Sequence, residues 1–172
     1  MTTIISTVVR RGADRGPALL ILEDGFTLTG RTYGATGLVA APVTVTTAVT
    51  GYQEILTDPA NAERIVLFTA PHVGNTGTND DDARSAGWAT GVIVREPARR
   101  ASSWLARREL EDDLVAAGVV GICRIDTRAL TRHLRDHGPL RAAVVSGDAL
   151  PDGAAEASID VTALFATAAE ES

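Results

Sequence analysis

Hydrophobic and polar positions alternate in Phe26-Thr27-Leu28-Thr29 and again in Val43-Thr44-Val45-Thr46, the period of a strand with one buried face. Residues 18–23 and 26–31 flank Asp24-Gly25, a hairpin signal because both turn residues tolerate positive φ. Compact apolar runs at 65–69 and 91–95 predict buried strands. A short helix is predicted over 52–56, stopped before Pro59 because the residue ahead of a proline is pushed out of helical geometry. Two longer helices follow. In 109–117, Leu110 and Leu114 stand one turn apart and Gly118 is placed to end the helix. Asp126 is placed to cap 127–137, with Leu130 and Leu134 on one face, Arg132, Arg135 and His137 toward the C-terminus, and Gly138 at the stop. Further strands are predicted at 119–125 and 140–146, a short one at 4–9, and a last short helix at 161–169. Strands come first and then alternate with helices, which predicts an α/β domain with mixed sheets and two main helices.

The 172 residues suffice for one domain with its own core. Aromatic residues make up only 4%, so that core is built mainly from Val, Leu, Ile and Ala. A net charge of -6 gives no general attraction to nucleic acid or an anionic membrane, and neither is expected as a partner. All 16 basic residues are arginines, which excludes a Schiff-base lysine and a phosphate-loop lysine in this sequence. A single cysteine, Cys123, precludes an intrachain disulfide and fits a reducing compartment. The apolar stretch at 4–9 is interrupted by Ser6 and Thr7 and followed by Arg10 and Arg11, the wrong order for a signal peptide, so the cytoplasm is the expected location.

Candidate chemistry is sparse. Cys123 with His133 suggests a nucleophile and base, but Cys123 lies in an apolar run where a small buried thiol is the expected role. His133 and His137 are one helical turn apart, the spacing of two metal ligands on one face, yet no cysteine and no obvious third ligand supports them and no metal or other cofactor is expected. Asn79-Asp-Asp-Asp82 lacks the glycine and the distal glutamate of a calcium loop and is expected to be a solvated turn. Gly74 and Gly77 could cradle an anion through backbone amides, but the simpler expectation is a tight turn between strands. Arg99, Arg100, Arg107 and Arg108 form a local basic patch suited to solvated helix surface or to docking an acidic partner.

Four segments are more specific: Thr50-Gly-Tyr-Gln-Glu-Ile-Leu-Thr-Asp-Pro59, Pro71-His-Val-Gly-Asn-Thr-Gly-Thr-Asn-Asp80, Arg100-Ala-Ser-Ser-Trp104 and Ile125-Asp-Thr-Arg-Ala-Leu-Thr-Arg-His-Leu-Arg135. In order and spacing they resemble the signature blocks of the small chain of carbamoyl-phosphate synthetase, over residues 18–147. The resemblance implies a β/β/α domain of the swivelling type, within a complex that makes carbamoyl phosphate from glutamine, bicarbonate and ATP for pyrimidine and arginine synthesis. It implies an N-terminal domain that packs on a glutaminase domain and helps attach it to the large synthetase chain. Gly51, Tyr52, Gln53, Glu54, Asp58, Pro59, His72, Gly74, Asn75, Asp126, Thr127 and Arg128 are then structural or docking positions, and none is catalytic.

Departures from that pattern accompany it. The family's glutaminase nucleophile lies in a Gly-x-Cys-x-Gly elbow; the nearest string here is Gly121-Ile-Cys-Arg-Ile125, and the glutaminase domain is expected to be absent from this chain. A family serine that reaches a neighbouring glutamine site corresponds to Ala60, with Asn61 beside it. Ala41-Pro42, Val45-Thr46 and Val49 replace Gly-Glu, Phe-Asn and Met, and Ala70 stands where many members have Tyr. Either neighbours have closed around the smaller side chains, or the lost ones served a partner.

The expected organisation is an extension at 1–16, the family-like domain at 17–147 and a tail or linker at 148–172. The expected function is that of a non-catalytic scaffold docking on a synthetase large chain. One alternative is a diverged stand-alone paralogue forming a homo-oligomer, with 4–9 as an intermolecular edge strand. The other is a small enzyme built on Cys123 and His133.

Overall fold

The computed structural model describes residues 15–80, 87–104, 106–150 and 160–167. Its strands are β1 Pro17–Leu22, β2 Thr27–Gly34, β3 Leu38–Thr46, β4 Ile65–Phe68, β5 His72–Val73, β6 Gly91–Ile93, β7 Glu96–Pro97, β8 Val120–Cys123 and β9 Arg141–Ser146. Its helices are α1 Tyr52–Leu56, α2 Leu110–Ala116, α3 Thr127–His137 and α4 Val161–Thr167. The strand at 4–9 and residues 168–169 of the last helix fall outside the described residues. No helix among the described residues is long and apolar enough to cross a membrane.

Seven strands close into a barrel in the order β1-β2-β8-β6-β4-β3-β9, while β5 and β7 form a separate parallel pair. The barrel is mixed. Strands β3, β4, β6 and β8 pair in parallel, whereas β2 meets β8, and β9 meets β1 and β3, antiparallel. The mixed α/β class expected from the sequence is therefore what the chain adopts.

Period-two alternation sorts the side chains into two cores. Leu20, Leu22, Val39, Ala41, Val43, Ile65, Leu67, Ile93, Val120, Ile122, Ala142 and Val144 form one cluster fed from around the barrel, joined by Leu130 and Leu134 of α3. The intervening residues Val66, Phe68, Val92 and Cys123 point the other way, into a second cluster with Tyr33, Tyr52, Leu56, Leu110 and Leu114, so α1 and α2 cover the outside of the parallel strands. Burying each Val, Leu or Ile side chain in this way is worth about 1.5–3 kcal/mol.

Local signals account for most boundaries. Asp24 Oδ1 accepts the Phe26 N–H at 3.0 Å and Gly25 takes φ 90°, closing the β1–β2 hairpin. Asp126 caps α3 through the Ala129 N–H at 2.9 Å, and Gly138 at φ 88° ends it. Strand β8 stops at Cys123, short of the expected 125, because Arg124 has φ 59°. Strand β3 starts five residues ahead of the expected Val43 and includes Pro42. That proline, which lacks an N–H, sits where β3 leaves β9 (Pro42 opposite Arg141) and takes up β4 (Val43 opposite Ile65). The β5–β7 pair, with Pro97 in one strand, was not foreseen.

Candidate functional site

The first motif block is a packed corner. Gly51 precedes α1 at φ 69°, where a Cβ would lie 2.6 Å from Glu54 Oε2, so only glycine fits without displacing that carboxylate. Tyr52 is buried, stands edge-on to Phe68 with ring centroids 5.4 Å apart, and donates its hydroxyl to Val49 O at 2.6 Å. His72 O lies 3.3 Å from the same hydroxyl, tying α1 to β5, while the His72 side chain is exposed. Gln53 is also buried. Its Nε2 donates to Asn79 O at 2.7 Å, and its Oε1 accepts the Asn79 N–H at 2.9 Å. Asp58 Oδ1 accepts the Ala60 N–H at 2.9 Å and starts a 3-10 turn over Pro59–Asn61. Pro59 and Ala60 themselves face solvent.

The second and third blocks clasp each other. Gly77 N–H donates to Gly74 O at 3.1 Å, the tight turn expected there, and a Cβ on Gly77 would come within 2.5 Å of Ala106 Cβ. Asn75 is exposed, but its carbonyl accepts the Ser102 N–H at 2.8 Å. Thr78 N–H donates to Arg108 O at 3.0 Å and its carbonyl accepts the Arg107 N–H at 2.9 Å. Arg108 bridges two carboxylates, Asp80 Oδ1 and Asp113 Oδ1, each at 2.7 Å. The expected basic patch is thus divided: Arg108 fastens the 74–80 loop to α2, and Arg107 faces Asp80 at 3.7 Å. Asp80 of the Asn79–Asp82 run serves these ion pairs; residues 81–82 lie outside the described residues. Trp104, which ends the third block, is 90% exposed.

The fourth block opens α3. Thr127 is buried, while Arg128 is exposed beside the Asp126 cap. Asp126, Thr127 and Arg128 line a groove of about 500 Å³ with Thr69, Pro71, Arg95 and two further α3 arginines, Arg132 and Arg135. Pro71 precedes His72, so the second and fourth blocks meet along this groove. Among the described residues, Arg95, Arg128 and Arg132 have no acidic partner, which leaves a basic channel on an acidic protein.

Cys123 and His133 are not brought together. Cys123 is fully buried and donates its thiol to Thr32 O at 3.6 Å. Burial pushes that thiol up to about 11, and the nearby Arg15 guanidinium only partly offsets it. Activation of a nucleophile requires the opposite shift. His133 instead points at the β1–β2 hairpin, where its Nε2 lies 2.6 Å from Asp24 Oδ2. Asp24 is thereby the third group near the histidine pair, supplied by a turn 109 residues away in sequence. Burial raises the Asp24 carboxyl, but the bonds to His133 and the Phe26 amide outweigh it and hold the group below the usual carboxylate range.

A second cleft, of about 600 Å³, is lined by Arg15, Tyr33, Gly74, Glu96, Arg99, Glu109, Glu111 and Arg124 among others. At its floor Arg15 and Glu111 form a buried bidentate pair, with Arg15 Nη2 to Glu111 Oε2 at 2.6 Å. Arg15 also donates to Thr32 O and lies over the Tyr33 ring. No sequence signal marked this pair, because its partners are 96 residues apart.

The departures divide into two kinds. Ala41 and Ala70 are buried, each inside one of the two cores, so neighbours have closed around them. Val45 and Val49 are 40% and 68% exposed, so the described fold leaves both partly open to solvent.

The sequence model described as "Carbamoyl-phosphate synthase small chain, CPSase domain" matches residues 20–144. A "Carbamoyl phosphate synthase small chain" from Streptomyces avermitilis is 54% identical over 147 residues, covering 85% of this chain and 39% of that protein. One of the same description from Mycolicibacterium paratuberculosis is 50% identical over 140 residues, covering 80% and 38%. The chain therefore spans about two fifths of the length of the curated relatives it matches. Among solved structures, an aminopeptidase from Aneurinibacillus sp. strain AM-1 aligns with 76% of this chain and 30% of its own at 18% identity and a TM-score of 0.44.

Proposed function

This chain belongs to the carbamoyl-phosphate synthase small chain family, and we propose that it serves there as a non-catalytic docking domain, of the swivelling β/β/α type, over residues 17–147. Its partner in this reading is a synthetase large chain, within an assembly that supplies carbamoyl phosphate for pyrimidine and arginine synthesis in the cytoplasm.

One observation carries the reading. The large hydrophobic residues exposed among those described are Val45, Val49 and Trp104, and all three lie in or beside the family blocks. Solvent-facing apolar side chains in and close to motif segments favour surface that a partner covers. The buried motif residues Tyr52 and Gln53 are committed to internal hydrogen bonds, which suits a rigid platform. The arginine-lined groove at the start of α3 would supply charge complementarity to an acidic partner surface and speed encounter.

A homo-oligomer is the second reading, since the same valines could meet across two copies. The closed barrel weighs against strand addition to its own seven strands, because closure leaves none of them with a free edge, so an added strand would have to pair with the two-residue β5 or β7. Size exclusion with light scattering separates the two. Docking predicts a monomer alone and co-elution with its cognate large chain. A stable dimer that ignores the large chain would reject docking in favour of self-association.

A further inference from the structure

We propose that Asp24, His133 and His137 form a binding site for a divalent transition-metal ion of the zinc class. Their donor atoms all lie within 4.8 Å of one another. A four-coordinate zinc ion with bonds of about 2.0–2.2 Å holds its donors roughly 3.3 Å apart, so His137 has to turn out of its stack on His133 for the three groups to meet one ion. The ion would replace the proton between His133 Nε2 and Asp24 Oδ2.

The surroundings already prepare the donors. Phe26 N–H occupies Asp24 Oδ1 at 3.0 Å and turns Oδ2 toward His133. His137 Nδ1 faces His133 O at 3.0 Å. A carbonyl can only accept, so Nδ1 carries the proton and Nε2 keeps its lone pair for a metal. Metal-binding histidines characteristically donate their other ring N–H in this way. Phe26 stacks on His133 with centroids 4.2 Å apart, which limits the motion of that ring, while the stack of His133 on His137 at 4.1 Å would open as the ion binds. Two imidazoles and one carboxylate suit zinc, copper or nickel, whereas calcium and magnesium prefer all-oxygen shells. The site is partly open to solvent, so water completes the shell. A bound ion would clip the β1–β2 turn to the last turn of α3 and stabilise the fold through mass action.

The test is titration of the untagged chain with zinc chloride against a chromophoric chelator, alongside thermal melts. The wild type should bind one ion per chain and melt higher with zinc. Asp24→Asn and His137→Ala should each bind at least tenfold more weakly and gain no thermal shift, while His72→Ala, which alters the one other histidine, should behave as wild type. His137 is exposed at a helix end, so its variant folds, and its melt without zinc verifies this. Equal affinity in wild type and His137→Ala, or equal losses in His72→Ala and His137→Ala, would overturn the site.

Discussion

Gln53 and Asn79 meet as a reciprocal pair: the Gln53 side-chain amide donates to the Asn79 carbonyl at 2.7 Å, and its oxygen accepts the Asn79 N–H at 2.9 Å. One side chain thus does for the 74–80 loop what a neighbouring strand does for a backbone. Gln53→Glu replaces the donor by an acceptor facing a carbonyl and should cost about 1–3 kcal/mol, the range for a buried polar group left unsatisfied. Urea midpoints measure the cost, and faster hydrogen exchange at the Asn79 amide localises it. An unchanged midpoint would mean that other contacts hold the loop.

Tyr52 and Asp58 should rank very differently although both belong to the first block. Tyr52 is 1% exposed and packs on Phe68, so Tyr52→Ala should cost about 3–5 kcal/mol. Tyr52→Phe removes only the hydroxyl, which reaches Val49 O and His72 O, and should cost about 1 kcal/mol. Asp58 bonds the Ala60 backbone amide, and Asp58→Ala should lose about 1 kcal/mol, like a helix cap. If Tyr52→Ala and Asp58→Ala both unfold at the wild-type midpoint, the block is maintained for a partner and not for the fold.

Much of this was readable beforehand because the forces are local. The Asp24-Gly25 hairpin, the Asp126 cap and the Gly138 stop each act within a few residues. What escaped depends on chain closure. The first half of β3 is alanine- and proline-rich and gains its place from β9, about a hundred residues later. Val43 and Val45 share one parity of the alternating pattern, yet Val43 is inside the barrel while Val45 is 40% exposed. No sequence period marks where a barrel interior ends. For the same reason Asp24 was invisible as a companion to His133 and His137.

The buried pair of Arg15 and Glu111 gives a test of the cleft floor. Truncating Glu111 to Ala leaves the guanidinium buried without its carboxylate and should cost about 3–5 kcal/mol. Replacing both partners together, Arg15→Met with Glu111→Leu, should restore most of that loss. A double variant as unstable as Glu111→Ala would show that the pair does more than neutralise itself.

Cys123 should behave as a core thiol. Its alkylation at pH 8 should be slow in the native protein and fast in denaturant. The unfolded thiol ionises near its ordinary value, whereas the folded one is pushed up to about 11. The unfolded chain therefore gives up its proton first, and this group's contribution to stability is full below the ordinary value and disappears as pH rises toward 11. Rapid native labelling, or ammonia released from glutamine and abolished by Cys123→Ala, would instead revive a cysteine enzyme.

The central claim is that the exposed valines beside the first block meet a partner. Val49 is 68% exposed, so Val49→Asp should leave the urea midpoint of the isolated chain nearly unchanged. Titration of wild type and Val49→Asp against the cognate synthetase large chain tests the claim directly. The account predicts a saturable one-to-one complex for the wild type and affinity at least tenfold weaker for the variant, because a charge forced into an apolar contact must be desolvated. Equal affinity for the two proteins, or no complex with either, would contradict it.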